Sequence, residues 1–95
     1  MSRRQKFLDQ LLAGQSDRTL DFSALCALLL SFGFVQRIRG SHYIFGHVNV
    51  VEIINLQLAT DGTVKPYQAK QVRELLLRYN LLNSLPDEPT PTKQL

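Results

Sequence analysis

The segment Arg39-Gly40-Ser41-His42-Tyr43-Ile44-Phe45 sets a histidine between a Gly-Ser turn and an apolar run. Imidazole ordinarily changes charge near neutral pH, so a histidine held at a surface is suited to taking and returning a proton. The chain has 2 histidines. His47 fails as a partner for His42, because on an uninterrupted strand these two positions point to opposite sides. Only a bulge at Gly46 would reset the register, and His47 is read as a loop or surface residue. Ser41 is no better as a nucleophile, since sequence neighbours on a strand diverge. It is expected to satisfy a turn hydrogen bond.

Cations are grouped around this segment. Arg37 and Arg39 share one face of the strand before the turn, while Lys65, Lys70 and Arg73 gather in the first half of the last helix. A helix N-terminus offers free N–H groups and the positive end of the dipole, so cations placed there reinforce an anion site at some cost to the helix. One histidine with such patches is a minimal set for cutting RNA. The imidazole takes the proton of a ribose 2′-hydroxyl, the oxygen attacks the adjacent phosphate, and cations hold that phosphate. The RNA itself supplies the nucleophile that the protein lacks, and the route requires no metal. The same residues also suit two other modules: an RNA-binding one without chemistry, or one that docks a protein on an open sheet face or edge.

Composition narrows the field. With 95 residues, 44% of them hydrophobic and 20% charged, the chain makes one folded domain. A net charge of +3 permits a polyanionic partner, though an ordinary solvated surface carries such an excess equally well. No apolar run is long enough to span a bilayer. The basic start Ser2-Arg3-Arg4-Gln5-Lys6 leads into no uninterrupted apolar segment, which predicts an untargeted, cytoplasmic protein. Cys26, the lone cysteine, reads as a small core residue, a zinc site is short of ligands, and no cofactor is expected.

The spacing of apolar residues predicts the elements that position these groups. Phe7, Leu8, Leu11 and Leu12 indicate a helix over Arg3 to Ala13. Asp21 caps a second helix whose face is Phe22, Leu25, Cys26, Leu29 and Phe32, ended at Gly33. Strands follow over Phe34–Arg39, His42–Phe45 and Val50–Leu58, the first two joined by a hairpin with Gly40 at the tight position. After a turn at Thr60 to Thr63, Pro66 opens a last helix with the stripe Ala69, Val72, Leu75, Leu76 and Tyr79, running to about Leu82. Parity puts Tyr43 and Phe45 toward the helices and leaves His42 and Ile44 on the open face. The expected class is α+β, a three-stranded antiparallel sheet with helices on one face in the order α-α-β-β-β-α. The expected divisions are an N-terminal helical extension over 1–20, a core domain over 21–82 and a proline-bearing, mobile tail over 83–95.

"GFVQRIRGSHYIF", Gly33 to Phe45, with "KPYQAKQVRELL" as support, resembles the HicA family of type II toxin–antitoxin systems. These are small bacterial mRNA interferases with a fold like the double-stranded-RNA-binding domain, inhibited by a HicB antitoxin. The resemblance covers roughly Phe22 to Leu82. It implies that His42 is the catalytic histidine and that Gly40 and Ser41 shape the turn presenting it. Lys65 and Lys70 become candidate phosphate contacts, with mRNA and a HicB-like antitoxin as partners. The helix over Arg3 to Ala13 is an addition to the family pattern, expected to cover part of the open face or to make a homodimer contact.

Overall fold

The computed structural model describes residues 3–84. Its elements are α1 (Arg3–Ala13), α2 (Phe22–Ser31), β1 (Val35–Arg39), β2 (His42–His47), β3 (Val50–Gln57) and α3 (Pro66–Arg78), followed by a short 3-10 helix, Leu81–Ser84. The strands form one antiparallel sheet in the order β1-β2-β3, so the α-α-β-β-β-α class expected from the sequence is the one observed. The tail expected over 83–95 lies, from residue 85 onward, outside the described residues.

Local chemistry explains the boundaries. The Asp21 carboxylate accepts the Ala24 N–H at 2.9 Å and caps α2. Gly33, at φ +95°, turns the chain out of the helix in a conformation that side chains disfavour. Arg39 pairs with His42, leaving Gly40-Ser41 as a two-residue hairpin loop, and Gly40 alone of the pair has positive φ (+59°). That is the type II′ pattern, which calls for glycine at the first central position and matches the twist of the strands. Ser41 acts through its backbone, whose carbonyl accepts the Leu58 N–H at 3.0 Å, and its hydroxyl bonds no described residue.

Four boundaries differ from the sequence reading, the smallest difference being at β3, which ends at Gln57 and not at Leu58. β1 begins at Val35, since the Phe34 N–H is still bonded to Leu29 in the α2 C-cap. β2 continues to His47, across a register shift in which the single residue Gly46 faces Val51, Glu52 and Ile53, so the extra residues belong to β3 and β2 keeps its alternation. α3 stops at Arg78 because Asn80 takes a left-handed conformation, φ +56°, before the 3-10 helix begins.

One core joins every element except β1, none of whose residues is buried. Phe45, Ile54 and Leu56 from the sheet meet Leu25, Leu28 and Leu29 of α2 and Val72 and Leu76 of α3. Leu8 and Leu11 of α1 belong to that core, so the N-terminal helix packs as part of the domain. No described helix is long and apolar enough to cross a membrane.

Near the start of β3, Glu52 accepts hydrogen bonds from the Tyr79 hydroxyl and from Arg78, both at 2.6 Å. The Tyr79 hydrogen bond is the leading cause holding the Glu52 carboxyl below its ordinary range, and the same bond pushes the Tyr79 phenol up. A depressed carboxyl stabilises the fold above the unfolded-chain value near about 4.3, and that contribution disappears as pH falls through the lower native value. Tyr79→Phe therefore reduces the stability lost between neutral pH and acid. Urea titrations of both proteins at neutral and acid pH measure this, and equal losses would refute it.

Candidate active site on the open sheet face

Antiparallel pairing decides which side chains are neighbours. Arg39 and Gln57 stand directly opposite His42 on its two flanking strands, and Arg37 and Asn55 stand opposite Ile44. β3 alternates cleanly: Val50, Ile54 and Leu56 are buried, while Val51, Ile53 and Asn55 are exposed. The face turned away from the helices therefore carries Val35, Arg37 and Arg39, then His42 and Ile44, then Val51, Ile53, Asn55 and Gln57. No carboxylate stands among them.

This face has two halves. Arg39, His42, Asn55 and Gln57 make a polar half at the hairpin end. The apolar half is a groove of about 410 Å³ lined by Val35, Ile44, Val48 and Ile53, with Arg37 at its edge. His42 is exposed, and its Nδ1 lies 3.1 Å from Asn55 Oδ1. A carbonyl oxygen only accepts, so this contact is made by an Nδ1–H, and in the neutral ring that proton leaves the Nε2 lone pair free. Lys65, the residue before α3, reaches back with its Nζ 3.4 Å from Gln57 Oε1, which brings a third cation to the strand beside His42. Arg37 and Arg39 are exposed and bonded to no other described residue.

The other two cations named from the sequence lie elsewhere. Lys70 is exposed on the side of α3 opposite Ala69, Val72 and Leu76, which places it on the helix layer and away from the open face. Arg73 grips Asp17 with both guanidinium arms, at 3.0 and 3.1 Å, and also donates to the Leu11 carbonyl at 3.0 Å. Its role as an RNA contact is replaced by a structural one, tying α3 to the end of α1.

His47 is likewise structural, where the sequence suggested a loop or surface residue. It is half-buried, with its Nε2 donating to the Phe32 carbonyl at 3.0 Å and its Nδ1 accepting the Asn49 N–H at 3.0 Å. Its ring also stacks edge-on against Phe34, at 4.9 Å between centroids. β2 keeps its alternation, so His47 shares the helix-facing side of Tyr43 and Phe45, reaches the end of α2 and does not pair with His42. His47→Ala removes both bonds and should cost about 1–3 kcal/mol of stability. A urea midpoint equal to wild type would show that these contacts carry none.

Sequence reasoning missed Asn55 and Gln57. Parity along β3 was the available signal, since it sets both amides on the same side as His42. Their contact with His42 itself needed the strand register. Fold and site together define a small α+β domain that displays one amide-supported histidine among cations on an open sheet. No protein-family model, curated protein or solved structure matches this chain.

Proposed function

We propose that the protein is a metal-independent endoribonuclease acting on mRNA, the toxin component of a type II toxin–antitoxin system in the cytoplasm. The observation that carries this reading is His42, exposed, bonded through Nδ1 to Asn55, and flanked by Arg39, Arg37 and the Lys65–Gln57 pair. In this reaction Nε2 takes the proton of a ribose 2′-hydroxyl and the 2′-oxygen attacks the adjacent phosphorus. The bond to the 5′-oxygen breaks, and that oxygen takes a proton from water. The products are a 2′,3′-cyclic phosphate and a 5′-hydroxyl. The cationic side chains neutralise charge that builds on the phosphoryl oxygens.

The apolar half of the face supports a protein partner as well. Val35 is 69% exposed, Val51 87% and Ile53 58%, a contiguous apolar surface of the kind that marks interaction sites. A HicB-like antitoxin seated there would cover His42 and silence the enzyme. Incubating the purified protein with RNA in EDTA and analysing the cut ends tests the catalytic reading. Cyclic phosphate ends are expected. Intact RNA that nevertheless binds in a salt-dependent manner would favour the binding module instead.

A further inference from the structure

We infer that Asn55 is the positioning residue for His42, fixing which ring nitrogen is free to act; the inference deepens the nuclease reading and rests on it for its kinetic consequences. A solvated imidazole side chain favours the proton on Nε2, which would leave the wrong nitrogen to act as base at the exposed edge of the ring. The Asn55 carbonyl oxygen, 3.1 Å from Nδ1, reverses that preference, because it accepts a hydrogen bond only from Nδ1–H. The bare Nε2 then becomes the base.

Asn55 is exposed, so its own hold on the ring depends on how firmly its backbone is placed. Two features place it. On one side it pairs with Ile44 of β2. On the other, the free edge of β3, its carbonyl accepts Gln68 Nε2 at 3.2 Å from the first turns of α3. Gln68 is 4% exposed, the one buried polar side chain among the described residues. A buried amide is costly unless it bonds; its Nε2 bonds the residue that faces His42, while its Oε1 has no described partner. Lys65, three residues earlier, holds Gln57 from the same end of α3. Helix, strand edge and histidine are thus linked in one chain of contacts, with both amides that flank His42 steadied by the start of α3.

The test has one arm that needs no RNA. Nitrogen-15 spectra of the histidine rings report the tautomer of His42 directly, with Nδ1–H expected in wild type and its loss in Asn55→Ala. In the cleavage assay, Asn55→Ala should lower kcat by about 10–100-fold, the scale on which groups behind a working histidine act, with KM within about twofold, because Asn55 does not hold the substrate. Asn55→Asp keeps an acceptor at the same place and should retain most of the rate. Its negative charge favours imidazolium, so the acidic limb of its pH profile moves to higher pH. A role limited to strand stability would lower the melting temperature without moving that limb. Wild-type His42 found as Nε2–H, or Asn55→Ala with an unchanged tautomer and rate, would overturn the assignment. Should the wild type leave RNA intact while the tautomer depends on Asn55, the nuclease reading fails and the positioning role stands.

Discussion

His42→Ala is expected to leave the fold and the RNA affinity as they are and to lower the proposed cleavage by about 10²–10⁴-fold, the usual contribution of a positioned general base. The fold is indifferent because His42 is exposed and bonds only the side chain of Asn55, which water readily satisfies. Affinity is expected to be indifferent because the proposed phosphate contacts are the neighbouring cations, none of which the substitution touches. The measurement is a single-turnover cleavage rate beside a binding curve on RNA whose 2′-hydroxyls are methylated and which therefore cannot be cut. An alanine variant that cuts as fast as wild type would remove His42 from the mechanism. A variant that loses rate and affinity together would make it a binding residue. Arg39→Ala has the opposite signature, with weaker binding and a salt dependence shallower by about one charge.

Much of this site was legible because it depends on local rules. The Gly40 turn, the Asp21 cap and the parity that turns His42 away from Tyr43 and Phe45 each follow from a few adjacent residues. What escaped is set across the chain. Asn55 meets His42 from another strand, 13 positions away, and only the register of β2 against β3 makes them neighbours. Arg73 read as a cation of an anion site in the first half of the last helix because its partner Asp17 is 56 positions distant, in a stretch without periodicity. His47 lies on the side that parity assigns it, and what the sequence did not show is that the end of α2 packs there, with the Phe32 carbonyl 15 positions away taking its ring N–H.

Arg73→Ala is expected to unfold the protein at a temperature lower by about 10 °C or more, corresponding to a cost of about 2–4 kcal/mol in a domain of this size. The pair it forms with Asp17 is largely shielded, with side chains 17% and 18% exposed, so water screens it poorly and cannot easily replace the lost arms. Removing the arginine strands the Asp17 carboxylate and leaves the Leu11 carbonyl, at the last turn of α1, with the Gly14 N–H at 3.2 Å as its remaining donor. Gly14 follows at φ +72°, and a Cβ there would sit 3.4 Å from the guanidinium carbon, so backbone and side chain are fitted to each other. Arg73→Lys keeps the charge but one ammonium cannot serve both carboxylate oxygens and the carbonyl, so it should recover only part of the loss. Melting curves of the three proteins, read beside their RNA affinity, separate the two roles available to this residue. A phosphate contact would leave the melting temperature unchanged and weaken binding. The clamp does the reverse, because α1 contributes Leu8 and Leu11 to the core that backs β2 and β3, and through them the strands that bring His42 and Asn55 together.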